Sequence, residues 1–123
     1  MIDLAGKRIL VVEDEAMVAM LIEDMLGDLG CDVVGPAMRI EHALQLAETG
    51  ALDAAVLDIN LGGVRSDPVA EILERRRVPT LFVTGYGQSG RPDRSDRILQ
   101  KPYRQCELGE ALRALLEVRS SSS

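Results

Sequence analysis

Apolar positions along the chain follow two alternating periods. Ile9-Leu10-Val11-Val12 is a continuous run rich in branched residues, the pattern of a strand buried on both faces of a parallel sheet. Val18, Leu21, Ile22, Met25 and Leu29 then recur at helical spacing, with Gly30 as the stop. Val33-Val34 reads as a second strand. Ile40, Ala43, Leu44 and Ala47 repeat the helical spacing up to Gly50. Ala55-Val56-Leu57 is a third strand, followed by a helix marked by Val69, Ile72 and Leu73. That helix ends on Arg75-Arg76-Arg77, cations suited to the negative end of its dipole. Thr80 to Val83 and Ile98-Leu99 read as strands four and five. Leu108, Ala111, Leu112 and Leu115 line one face of a last helix, and Ser120 to Ser123 read as a frayed tail.

Strands alternating with helices imply βαβ units. Five strands in this length suit an α/β, doubly wound parallel sheet with helices on both faces; a barrel needs about twice the length. The crossover from Gly85 to Arg97 breaks the pattern. It holds three glycines, one proline and a single apolar side chain, Tyr86. Nothing in it can bury a helical face, so the fourth helix is expected to be short, irregular or absent.

Composition narrows the function. The chain has 123 residues, the size of one domain, expected over residues 1–119 with a disordered tail at 120–123. A net charge of −6 argues against nucleic acid or an anionic membrane as partner. There is no apolar run of membrane-spanning length and no signal-peptide pattern at the N-terminus. Cys31 and Cys106 lack metal spacing and read as thiols of a reducing compartment, so a cytoplasmic location is expected.

In a doubly wound sheet the functional crevice lies beyond the carboxyl ends of the strands. Glu13 and Asp14 stand past strand one, Asp58 and then Asn60 past strand three, Thr84 past strand four, and Lys101 past strand five. Clustered carboxylates repel unless a cation offsets them, and a hard oxygen cluster is what Mg²⁺ prefers. With a hydroxyl and an ammonium beside them, these are the parts of phosphoryl transfer, in which a carboxylate can serve as nucleophile. Lysine usage points the same way: the chain has twelve Arg but only Lys7 and Lys101. A compact point charge stands at the end of the last strand in a chain that otherwise uses arginine.

Val11-Val12-Glu13-Asp14-Glu15, Val56-Leu57-Asp58-Ile59-Asn60-Leu61, Phe82-Val83-Thr84-Gly85-Tyr86 and Leu99-Gln100-Lys101-Pro102-Tyr103 together resemble receiver domains of two-component response regulators. The resemblance runs from about Lys7 to Val118. It implies a flavodoxin-like strand order 2-1-3-4-5 and a single-domain receiver of the phosphorelay type. It implies that Asp58 accepts a phosphoryl group from a histidine kinase, of HWE/HisKA2 type, or from a phosphotransfer protein. Glu13, Asp14, Asp58 and the Asn60 backbone carbonyl would bind Mg²⁺, Thr84 would bond a phosphoryl oxygen, and Lys101 would pair with it. The Lys101-Pro102 bond would be cis. Many receivers carry an aromatic switch three residues before the lysine, where this chain has Ile98. The segment 82–86 instead resembles the Phe-Ala-Thr-Gly-(Gly/Tyr) subgroup, with Val83 in place of Ala. That subgroup has a reduced fourth helix, so Thr84 and Tyr86 are the expected switch residues, with the segment 85–97 ordering on phosphorylation.

Plainer roles exist for single residues. Asp14 can be a helix N-cap, His42 a surface residue, the methionines of the first helix core filling, Arg75 to Arg77 a helix terminus, and Tyr103 a packing residue. A small Mg²⁺-dependent aspartyl-phosphate phosphatase would want an acid where Asn60 stands. A flavodoxin-like cofactor binder would want a phosphate-cradling loop where Glu13-Asp14-Glu15 stands. A docking-only degenerate receiver would not keep the acids, Thr84 and Lys101. An acidic single domain leaves no output module, so the signal is expected to pass to an unknown downstream protein, unless the chain is a receiver excised from a longer one.

Overall fold

The hydrophobic runs at 9–12, 54–57 and 80–83 become the three central strands of one parallel sheet. A computed structural model describes residues 3–61, 63–84, 98–101 and 103–121. In chain order the elements are β1 (Arg8–Val12), α1 (Ala16–Asp28), β2 (Asp32–Ala37), α2 (Ile40–Thr49), β3 (Ala54–Asp58), β4 (Asn60–Leu61), β5 (Val64–Arg65), α3 (Asp67–Arg75), β6 (Thr80–Thr84), β7 (Ile98–Gln100) and α4 (Gln105–Ser121). The five-stranded sheet has the order β2-β1-β3-β6-β7, and β4 and β5 form a separate two-stranded hairpin. This is the doubly wound, flavodoxin-like topology.

Strand alternation sorts the core into two layers. Ala55, Leu57 and Phe82 face α2 and α3, while Ala54, Val56, Leu81 and Val83 face α1 and α4. Both faces of the sheet are therefore dry, which is why its strands read as unbroken apolar runs.

Two local readings change. The second strand is longer than Val33-Val34 and includes Gly35 and Pro36, joined by a cis peptide bond. It lies at the sheet edge, where a proline costs no ladder bond. Gly35 has φ +99°, and a Cβ there would stand 2.7 Å from the Ala37 nitrogen and 3.2 Å from the Val11 oxygen. Only glycine fits.

In α1 the buried residues are Ala19, Ile22 and Leu26, with Val18, Met25 and Leu29 partly buried around them. Leu21, expected inside, is 54% exposed, and Met17 and Met20 are 84% and 62% exposed rather than core filling. The segment from Ala16 to Ile22 is apolar all round, so periodicity does not single out a face. The remaining helices turn the expected faces inward: Ala43 and Ala47, Val69 and Leu73, Leu108, Leu112 and Leu115 are buried, and Ile40, Leu44, Ile72 and Ala111 partly buried. His42 is exposed, as expected of a surface residue.

The arginine run does terminate α3, with Arg77 at φ 60°. Arg76 also donates to the Ala47 and Gly50 carbonyls, closing the C-terminus of α2. The expectations for the fourth helix, for Tyr86 and for the bond to Pro102 fall outside the described residues. No helix among the described residues is long and apolar enough to cross a membrane.

Candidate functional site

The carboxyl ends of β1, β3, β6 and β7 meet where strand order reverses, and the expected residues meet there. Beyond β1 the Glu13 N–H donates to the Ala37 carbonyl at 3.0 Å, extending the ladder and turning the glutamate inward. The register shift in β2 between the partners of Leu10 and Val12 brings Ala37 to that position. Glu13 is completely buried. Its Oε2 accepts from the Glu15 N–H at 3.2 Å and its Oε1 from the Lys101 ammonium at 2.8 Å.

Asp58 closes β3 and is 6% exposed. Its Oδ2 accepts from Lys101 Nζ at 3.3 Å. Asp14 is half-buried beside them, and one carboxylate oxygen from each of Glu13, Asp14 and Asp58 lies within 4.8 Å of the others. Asp14 is not the helix cap: Glu15 precedes α1, without a side-chain cap bond.

Thr84 is the buried last residue of β6, one strand over, and its carbonyl accepts from the Lys101 N–H at 2.9 Å. That backbone bond fixes where the lysine leaves the sheet. Asn60 opens β4 two residues past Asp58. Glu13, Asp14, Asp58 and Lys101 are thus brought together, and Thr84 stands on the same edge.

Electrostatics follow from burial. Desolvation, joined by the charge of Asp58, pushes the Glu13 carboxyl up to about 7 against the opposing hydrogen bonds from Lys101 and Glu15. Burial alone would lower the Lys101 ammonium. Its hydrogen bond to Glu13 and the charges of Asp58 and Glu13 outweigh that, and the net shift is upward. The ammonium is therefore an internal counter-ion shared by two carboxylates. Burial also pushes the Tyr103 hydroxyl up to about 12.

Three features were not legible in the sequence. Ser66 donates through both its N–H and its Oγ to the Ile59 carbonyl, each at 3.0 Å, and so closes the loop after Asp58. A serine ahead of Asp-Pro signals a helix start, but its hydroxyl turns to the loop instead of capping α3. The Tyr103 hydroxyl is buried without a hydrogen-bond partner among the described residues. Beside it, a pocket of about 180 Å³ is lined by Val18, Leu21, Ile22, Met25, Lys101 and Tyr103.

The sequence model of the response regulator receiver domain matches residues 9–113. The chain belongs to the response regulator receiver family. A curated relative, the transcriptional regulatory protein TcrA of Mycobacterium tuberculosis, is 36% identical over 118 residues, 90% of this chain and 46% of TcrA. The chain spans about half the length of the curated relatives it matches. Among solved structures, SdrG from Sphingomonas melonis Fr1 is 43% identical with a TM-score of 0.81, covering 94% of this chain and 99% of SdrG. The BeF3-activated conformation of SdrG matches with a TM-score of 0.76, over 91% of this chain and 98% of SdrG. The receiver domain of the sensor histidine kinase PA1611 from Pseudomonas aeruginosa PAO1, solved with magnesium in its active site cleft, is 27% identical. Its TM-score is 0.74, over 92% of this chain and 99% of that one. This receiver is a signalling domain of the two-component type.

Proposed function

We propose that this receiver is a phospho-acceptor in which Asp58 takes a phosphoryl group from a histidine kinase, of HWE/HisKA2 type, or from a phosphotransfer protein. The observation that carries the reading is the buried Asp58 carboxylate, held by Lys101 at 3.3 Å, with Glu13 and Asp14 oxygens within 4.8 Å of its own. Three carboxylates offering hard oxygens at that spacing fit Mg²⁺, with Glu13, Asp14, Asp58 and the Asn60 backbone carbonyl as its protein ligands. When bound, Mg²⁺ supplies charge neutralisation for the transferring phosphoryl oxygens. The magnesium in the cleft of the PA1611 receiver supports this by similarity.

The chain's own residues do the rest. An Asp58 oxygen attacks phosphorus in line, forming the O–P bond as the donor N–P bond breaks and its electron pair returns to the imidazole. Lys101 follows the developing charge from carboxylate to phosphoryl oxygen, and the Thr84 hydroxyl donates to another phosphoryl oxygen. Thr84 and Tyr86 act as the switch, and phosphorylation orders the segment 85–97. The state passes to a downstream protein through the surface of a domain at 1–119, in the cytoplasm, or the site serves as a phosphate relay.

Incubation with acetyl phosphate and Mg²⁺, read by intact mass, tests this. One added phosphoryl group, lost in Asp58→Asn, is the expected result. No addition with any phosphodonor overturns it.

A further inference from the structure

Leu57, Ile59 and Leu61 all enter the core layer shared with α2 and α3. Strand alternation therefore runs from β3 through the bend at Ile59 into β4. Asp58 and position 60 are in phase on the opposite side of the ribbon. Across the hairpin the Cα partner of Asn60 is Arg65, and directly opposed ladder positions share a face. Positions 58 and 60 are about 6.6 Å apart along the strand, and ladder partners lie about 5 Å apart. An extended arginine side chain spans what remains. The hairpin is braced by the two Ser66 hydrogen bonds to the Ile59 carbonyl. The Arg65 guanidinium rests on Asp67 at 3.4 Å, with the two side chains 57% and 44% exposed. Such an exposed pair is a weak tether.

Charge supplies the reason to leave it. With Asp58 converted to an acyl phosphate, the phosphoryl dianion, Glu13 and Asp14 face Lys101 and a divalent cation, with one negative charge in excess. A second cation within reach of the phosphoryl oxygens removes that excess.

We propose that Arg65 is a phosphoryl-binding residue: once Asp58 is phosphorylated, its guanidinium leaves Asp67 and donates to a phosphoryl oxygen. The inference rests on the phospho-acceptor reading and adds a cation to it. The test uses the full chain with beryllofluoride as the phosphoryl mimic in excess Mg²⁺, titrated by fluorine NMR, with Mg²⁺ affinity measured separately. R65Q is expected to bind beryllofluoride about tenfold more weakly, the loss of one charge-assisted hydrogen bond. Mg²⁺ affinity is expected to stay unchanged, and R65K to recover most of the difference. Equal beryllofluoride affinity in wild type and R65Q overturns the inference alone. An equal loss in Mg²⁺ affinity also overturns it, because the substitution would then have distorted the site. A wild type that takes no beryllofluoride overturns the phospho-acceptor reading and this inference with it.

Discussion

Glu13 makes the metal-free protein less stable as pH rises, and the size of the effect follows from its surroundings. Its carboxyl stands at about 7 in the folded chain against 4.5 as the reference for the unfolded one, with burial as the largest cause. Between those values the folded state holds a proton that the unfolded state has released. Protonation thus favours folding, and stability falls as pH climbs from about 4.5 to about 7, then levels off. At about 1.4 kcal/mol for each pH unit between the two values, the full loss is about 3–4 kcal/mol. The raised Lys101 value acts in another window: its stabilisation is complete below the unfolded lysine value of 10.5 and is lost only above it. Urea melts with EDTA at about pH 5 and about pH 8 read the wild-type slope, and Glu13→Gln removes it while leaving the other carboxylates. The difference between the two proteins should therefore move by about 2–3 kcal/mol across that range, with the variant gaining on the wild type at the higher pH. Parallel pH profiles for wild type and Glu13→Gln would refute the reasoning. Excess Mg²⁺, which selects the ionised carboxylate, should stabilise the wild type more at the higher pH than at the lower.

Other outcomes can be checked by urea melts as well. Gly35→Ala meets a backbone nitrogen at 2.7 Å and a φ of +99°, so it should cost at least about 2 kcal/mol in stability. Arg76→Ala removes the donor to the Ala47 and Gly50 carbonyls and should cost about 1–3 kcal/mol, with no change in beryllofluoride affinity. Met20→Lys, on the exposed strip of α1, should stay within about 0.5 kcal/mol of wild type. Ile22→Ala, two residues on, should lose about 2–5 kcal/mol.

The site was legible because topology does most of its assembly. Once five strands alternate with helices, the residues just past β1, β3, β6 and β7 must share one end of the sheet. Glu13, Asp14, Asp58, Thr84 and Lys101 could be named from the order of the chain. Their inequality was not legible. Adjacent acids 13 and 14 read alike, yet Glu13 is buried and holds the lysine while Asp14 stays half-exposed. The difference comes from the ladder bond to Ala37, supplied by a neighbouring strand through a register shift. One position of α1 was misread for a related reason: seven consecutive apolar residues blur the phase, so Leu21 read as inward yet is exposed, while Ile22 is buried and Val18, Met25 and Leu29 pack against the core as expected.

The order of the elements, the two-sided burial of the sheet and the identity of the acids past its strands were determined by the sequence itself. Each depends on period, residue type and position along the chain. Tertiary structure alone decided which carboxylate Lys101 holds at 2.8 Å, that Ala19 rather than Leu21 is buried in α1, and that Arg65 stands opposite Asn60 two residues from Asp58. Those depend on register, on desolvation and on contacts between segments up to 88 residues apart, quantities that no local pattern records.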